Sequence, residues 1–367
     1  MKKYMALGLV IALAGCAPDE EEPESETGED IDDQEDETTD EDGEAFDVED
    51  GEYEEIATGL EAPWSIVRAD DDEFFITERA GAIVHIDGEE VTQEDINLNE
   101  EVWDEGEGGL LGMVLVPEGD EEAIVYHTYE DDEGTVLNRI VAIERDAEGW
   151  QETDVLLDDI PGDTIHDGGR LAIGPDDHLY ATTGDADVEE LSQDTDSLAG
   201  NILRMELDGS VPEDNPFDDS YVYSYGHRNP QGIDWSGDGR MFSSEHGPTA
   251  QDEVNEIEVG SNYGWPEITG DEEAEGMESP IFESGDDTWA PSGAAFAGES
   301  DFYVTGLAGE ELMRFDVDNG EMETVFEGEG RLRDVLIDGD ALYVITNNTD
   351  GRGDPDEDDD RLLRLGN

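Results

Sequence analysis

Residues 175–185 read PDDHLYATTGD: an acidic turn, then a short strand of aromatic, apolar and β-branched residues, then Gly-Asp. Outward from this stretch the same turn-then-strand pattern recurs five times. The other instances are DDDEFFITERAG from Asp70, EGDEEAIVYHTY from Glu118, GDGRMFSSEHG from Gly237, GESDFYVTGLAG from Gly298 and DGDALYVITN from Asp338. With Phe74, Ala123, Leu179, Met241, Phe302 and Leu342 as markers, the spacings are 49, 56, 62, 61 and 40 residues. Helical periodicity is almost absent between them. A recurrence of that length suits one four-stranded unit per repeat, so the expected fold is all-β, a six-bladed β-propeller; a large β-sandwich is the alternative. Propellers bind ligands at the channel mouth with loops between strands, which directs attention to polar residues in turns.

Composition narrows the function. The chain has 367 residues, with 16 Lys+Arg against 106 Asp+Glu and a net charge of -90. Lys2 and Lys3 are its only lysines, which excludes a Walker-type phosphate loop and a lysine Schiff base. Nucleic acid and anionic membrane surfaces are excluded as partners, because both must be met by clustered cations. The single cysteine can form neither an internal disulfide nor a thiolate metal cluster.

That cysteine ends a readable leader. Lys2 and Lys3 precede an apolar run from Met5 to Ala14, too short to span a bilayer, and Leu13-Ala14-Gly15-Cys16 resembles a lipobox. Residues 1–16 are expected to be a lipoprotein signal peptide that leaves Cys16 lipidated; an ordinary signal peptide is the other reading. Either implies export, the first to the outer face of the cell membrane, with membrane contact only through the lipid. Residues 17–52 hold 21 acids in 36 positions and no base, as expected of a disordered stalk. The domain expected at 53–367 keeps 106 − 21 = 85 acids against 14 arginines, a net of −71. Such a field implies a salt-rich solvent, hence a halophilic, archaeal origin.

Three constellations carry possible chemistry. His166 precedes a Gly-Gly bend, and Asp185 lies 19 residues on at the end of LYATTGD. The pair reads either as a proton-removing dyad or as a surface histidine among many carboxylates. The second runs GHRNPQG from Gly226, EHGP from Glu245, Asp252-Glu253 and NYGWP from Asn262. Arg228 beside Asn229 suits a carbonyl that gains negative charge, and Gly247-Pro248 offers backbone carbonyls of the kind calcium takes. In the third, alternation is expected to send Arg331 and Arg333 to one face of a strand, where they need either surrounding acids or an anionic ligand.

Taken together, PWSIV at Pro63, ITERAG at Ile76, GEGGLLGMVLVP at Gly106, HDGGRLAIGPDDHLYATTGD at His166, GHRNPQG, EHGP, NYGWP, APSG at Ala290 and RLRDV at Arg331 resemble the soluble quinoprotein glucose/sorbosone dehydrogenases. Within them the PQQ-dependent aldose sugar dehydrogenases are most similar, in a haloarchaeal-type lipoprotein. The resemblance covers most of residues 56–365 and implies a six-bladed propeller that oxidises aldoses to lactones with PQQ and Ca²⁺, passing electrons to an acceptor of unspecified kind. It implies that His166 is the general base and Asp185 its partner, and it sets Arg228 and Asn229 against the reacting quinone carbonyl. The carbonyls of Gly247 and Pro248 would ligate calcium, Arg331 and Arg333 would face the PQQ carboxylates, and Glu107 would line the pocket. Ala308 stands where the glucose-dehydrogenase branch has a PQQ-contacting lysine, and Asp286 where it has an aromatic. Nicotinamide is set aside because Leu111 replaces the third glycine its fingerprint requires. A non-catalytic propeller that binds a sugar or protein partner is the alternative, and Ala308 is the feature that favours it.

Overall fold

The structure is a computed structural model and describes residues 46, 48, 53–70, 72–117 and 121–366. The signal peptide, the lipobox and most of the stalk lie outside the described residues. Of the stalk, Phe46 packs on the domain, its ring edge-on to Tyr303 at 5.7 Å and its N–H on the Tyr303 hydroxyl at 3.2 Å.

The described residues form strands joined by turns, with one short 3₁₀ segment at Glu189–Gln193. β1 (Tyr53–Thr58) leads into the antiparallel meander β2 (Pro63–Asp70), β3 (Glu73–Glu78), β4 (Ala82–Asp87) and β5 (Glu90–Asn97). The next is β6 (Leu110–Leu115), β7 (Glu122–Glu130), β8 (Val136–Asp146) and β9 (Gly149–Pro161). A short parallel pairing of Ile96 and Asn97 with Trp150 and Gln151 joins these two meanders into an eight-stranded sheet. Two four-stranded sheets follow: β10 (Leu171–Ile173), β11 (Leu179–Thr182), β12 (Asn201–Met205) and β13 (Val222–Tyr225), then β14 (Pro230–Trp235), β15 (Met241–Glu245), β16 (Glu253–Ile257) and β17 (Phe282–Glu283). After β18 (Pro291–Ala297), β19 (Asp301–Gly306), β20 (Glu311–Asp316) and β21 (Glu321–Glu327), the last sheet is β22 (Leu332–Asp338), β23 (Ala341–Thr346) and β24 (Arg361–Leu365), completed by β1 on β24. The first strand thus closes the sheet made by the last three. The leading strands neighbour one another in a cycle, β2, β6, β10, β14, β18, β22 and back to β2.

The six repeats seen in the sequence fall on β3, β7, β11, β15, β19 and β23, each the second strand from its sheet's inner edge. These strands are apolar because both faces are covered by neighbouring sheets. Phe74 and Ile76 of β3 pack with Tyr343 and Ile345 of β23, and Phe302 and Val304 of β19 with Phe242 of β15. Full burial of each such side chain contributes about 1.5–3 kcal/mol. The acids in the turns have local work as well: the Asp131 carboxylate accepts the N–H groups of Glu133 and Thr135, both at 2.8 Å.

Five leading strands carry a register shift at the end where they enter the sheet: Pro63/Ser65, Leu110/Met113, Pro230/Gly232, Pro291/Ala294 and Leu332/Asp334. A bulge there re-aims a side chain. Trp64, Gln231, Ser292 and Arg333 occupy four of these positions and meet: Arg333 Nη1 donates to Gln231 Oε1 (2.9 Å) and Ser292 Oγ (3.3 Å), and its guanidinium lies 5.9 Å from the Trp64 ring. This layer separates the mouth from a channel cavity of about 410 Å³ lined by all six leading strands.

Candidate active site

His166 lies in the loop before β10 and Asp185 just after β11, so the antiparallel pairing of these strands brings both to the same end. His166 Nδ1 lies 2.7 Å from Asp185 Oδ1, and the two residues are 8% and 2% exposed. Gly184 makes the approach possible, because a Cβ there would stand 1.8 Å from the His166 carbonyl oxygen. His166 itself has φ +63°, a left-handed conformation uncommon for a residue with a side chain. Its backbone N–H is held by Glu107 Oε2 at 3.0 Å.

The other ring nitrogen defines the tautomer. Arg228 Nη2 lies 2.8 Å from His166 Nε2, and a guanidinium can only donate. Nε2 therefore accepts, the proton sits on Nδ1, and it is donated to Asp185. The basic lone pair is the one that Arg228 Nη2 occupies. Arg228 is fixed from several sides: Nη1 donates to the carbonyl of Gly247 (2.8 Å), its backbone N–H to Glu245, and its guanidinium lies 5.4 Å from the Trp265 ring. The other Glu245 oxygen holds His227 Nδ1 at 2.8 Å beneath it. Asn229 is buried and accepts the Gly168 N–H at 3.1 Å, tying its loop to the Gly-Gly bend.

Asp252 organises the neighbouring loop. Oδ1 accepts the Gly247 N–H at 2.9 Å, and Oδ2 accepts from Thr288 Oγ1 (3.0 Å), Trp289 N (2.7 Å) and Ala290 N (2.8 Å). The Gly247 carbonyl faces the mouth, where Arg228 meets it, while Pro248 is exposed beyond it. Among the described residues no three His, Cys, Asp or Glu side chains converge as a metal site. A cation at this loop would have to be held by carbonyl oxygens and by its own ligand.

Arg331 and Arg333 do come together, but strict alternation is not the reason. Arg331 precedes β22, and Arg333 is the residue at which the β22/β23 register slips. Sequence reasoning left acids or an anion as their partner, and the structure supplies one acid it had not singled out. Asp350 lies 3.0 Å from Arg331 and 4.0 Å from Arg333, with its side chain almost fully covered. Arg333 also donates to Asn347 Oδ1 at 3.0 Å, and Arg331 to the Leu307 carbonyl at 3.1 Å. Buried Arg79 shares this end of the channel, held by the carbonyls of Gly106 and Gly108, both at 2.8 Å. Burial, with Arg79 and Arg331 nearby and only Asp350 and Glu107 opposing, lowers Arg333 to about 9. Arg331 Nε is buried without a partner. Three guanidiniums facing the carboxylates of Asp350 and Glu107 leave an excess of positive charge, which suits a polycarboxylate ligand.

Burial opposes ionisation of Glu107, yet its carboxyl is held below the ordinary range by His246, the His166 N–H and Arg352. Burial also pushes His246 down to about 4, so near neutral pH the N–H and Arg352 are what act on Glu107. Arg352 reaches Glu107 Oε1 at 3.1 Å from the loop after β23. Ala308 is exposed beside the Leu307 carbonyl that Arg331 uses, and Asp286 is exposed in the turn before Trp289.

A ring of sheets whose mouth holds a histidine–carboxylate dyad, an arginine on the base and a cationic pocket beside it is a β-propeller built for proton and anion chemistry. Residues 60–364 match the family model described as glucose/sorbosone dehydrogenase, and the chain belongs to that family. It is 30% identical over 249 residues to quinoprotein glucose dehydrogenase B of Acinetobacter calcoaceticus, across 59% of this chain and 52% of that protein, so the match spans about half the relative's length. It is 28% identical to an aldose sugar dehydrogenase of Escherichia coli, across 80% of this chain and 89% of that one. The solved PQQ-bound aldose sugar dehydrogenase of Streptomyces coelicolor is 39% identical and superposes with a TM-score of 0.80, covering 85% of this chain and 96% of that one.

Proposed function

We propose that the protein is a six-bladed propeller enzyme that oxidises the anomeric hydroxyl of aldose sugars to a lactone, with PQQ and Ca²⁺ at the channel mouth. The cycle of six leading strands, each at the edge of a four-stranded array, supports the blade count. The observation that carries the chemistry is the chain Asp185–His166–Arg228, in which Nδ1 donates to the carboxylate and the Nε2 lone pair accepts from Arg228.

When bound, PQQ would supply a two-electron hydride acceptor and Ca²⁺ a Lewis acid on its carbonyl. His166 Nε2 takes the proton of the sugar's anomeric O–H as the C1–H hydride leaves, and C1 and its oxygen become the lactone carbonyl. Asp185 stabilises the imidazolium that forms, so the dyad acts in the transition state more than in the ground state. A sugar hydroxyl at Nε2 would have to displace Arg228 Nη2, leaving the guanidinium beside the base, where it would meet an oxygen gaining negative charge. Asn229 would line the same end of the quinone, Arg331 and Arg333 would take the carboxylates, and the Gly247 and Pro248 carbonyls would face the metal. Glu107 fixes the His166 backbone.

Membership of the dehydrogenase family favours the enzyme over the binding-only reading. Export, lipidation at Cys16 and life in brine remain part of the proposal, on the leader and the charge. The test is reconstitution in high salt with PQQ and Ca²⁺, followed by dye reduction across an aldose panel. General bases contribute ~10²–10⁴-fold, so His166→Gln should lower kcat by that order with PQQ affinity within a few-fold of wild type. Normal turnover by His166→Gln, or PQQ binding without oxidation of any aldose, would overturn the reading.

A further inference from the structure

Trp265 touches both groups that control His166. Its indole N–H donates to Asp185 Oδ2 at 2.8 Å, and its ring lies 5.4 Å from the Arg228 guanidinium. Asp185 is 80 residues away in sequence, so the contact exists only through the fold. The Trp265 backbone is pinned: Gln193 Nε2 donates to the Trp265 carbonyl at 2.7 Å, and the Gln193 and Asn262 amides exchange hydrogen bonds at 3.0 and 2.8 Å. A phenylalanine would serve if only packing were needed; the N–H on the far carboxylate oxygen would then be lost.

We propose that Trp265 is a positioning residue that sets the basicity of His166, taking up part of the Asp185 charge through its N–H and holding Arg228 on the other ring nitrogen. This rests on the reading of His166 as the base. Each N–H on Asp185 draws charge from the oxygens that would stabilise the imidazolium, and hydrogen bonds to a carboxylate favour its ionised but less basic form. The groups facing His166 are Asp185 at Nδ1, Arg228 at Nε2 and Glu107 at its backbone N–H. Behind them stand the Asp187 backbone N–H on Asp185 and Arg352 on Glu107, with Asp167 next in the chain. Of these, the Trp265 N–H can be removed without altering a charge.

In Trp265→Phe, Asp185 is left with more charge for the imidazolium, and His166 keeps its proton to higher pH. The acid limb of the kcat/KM profile in the PQQ- and Ca²⁺-loaded protein should move up by about half to one pH unit, the plateau staying within a few-fold. The chain has six histidines, so ¹³C labelling gives six signals, and His166→Gln assigns the one that matters. That signal should shift the same way in Trp265→Phe, and Gln193→Ala, which keeps the indole but unpins its loop, should shift it less. A limb and a titration superimposable on wild type, or a loss of kcat at every pH with the limb unmoved, would overturn the proposal. Normal turnover in His166→Gln would instead defeat the base assignment, and the His166 titration would still decide the role of Trp265.

Discussion

Arg333 has two tasks, and they predict a distinctive variant. Its guanidinium closes the channel layer through Gln231, Ser292 and Asn347, and with Arg331 it brings positive charge to Asp350 and the pocket. Arg333→Ala removes both at once, leaving a void and unpaired acceptors, and should cost about 2–4 kcal/mol of stability together with at least a tenfold loss of PQQ affinity. Arg331→Ala should weaken PQQ by a similar factor and lower Tm through the covered Asp350 it leaves unpaired, without opening the channel layer. Thermal melts and PQQ titrations of the two variants, compared side by side, check the distinction. His127 carries a pH prediction. It is fully buried, and burial followed by Arg139 pushes it down to about 4. Between pH 6.5 and 4 the unfolded chain binds a proton that the folded chain refuses, so stability is full above 6.5 and is lost as pH falls, by about 3 kcal/mol. His127→Gln should show a shallower acid loss in urea titrations at pH 7 and 4.5.

The repeated element explains both what was legible and what was not. Each second strand announced itself by an acidic turn and an aromatic, β-branched run, because it is covered on both faces and bounded by a tight turn. Of the leading strands, β10 is only Leu171–Ile173, and in the other five a bulge interrupts the alternation. His166 and Asp185 were readable as a pair because one hairpin, β10/β11, joins them. Asp350 was not, because it lies in the loop after β23, where no motif marks it. Trp265 gave only a motif, since its bond to Asp185 crosses two sheets. The loop after β15 also carries a prediction. Asp252 ties the Gly247 N–H to the backbone at Trp289 and Ala290, so Asp252→Asn leaves an acceptor short and releases the carbonyl proposed for calcium. The Ca²⁺ concentration needed to restore chelated enzyme should rise about tenfold or more, from a loss of about 1–3 kcal/mol, while the His166 titration is unchanged.

At the scale of the molecule, the governing quantity is charge. The folded domain carries 85 acids and 14 arginines. Buried arginines are drawn into ion pairs, as in Arg170–Asp334 at 2.9 Å and Arg139–Glu152 at 3.2 Å, so few cations remain to offset the acids at the surface. At ~0.1 M salt the Debye length is ~10 Å, and a surface acid feels several others; at ~1 M it is ~3 Å, and most of that repulsion is gone. Unfolding separates the charges, so weak screening favours the unfolded chain. The Tm should therefore rise steeply from 0.1 to 2 M KCl, by on the order of ten degrees or more, since each kcal/mol moves a protein larger than 150 residues by ~2–4 °C. Specific exclusion of salt from apolar surface would also raise Tm, and it separates from screening by its solute dependence. Sucrose at equal osmolality strengthens burial without screening and should recover only a small part of the gain. Replacing exposed acids on β5 and β21, such as Glu90, Glu321 and Glu327, by glutamine should shift the salt midpoint downward. A Tm indifferent to KCl, or matched by sucrose, would show that the surface charge does not limit this fold.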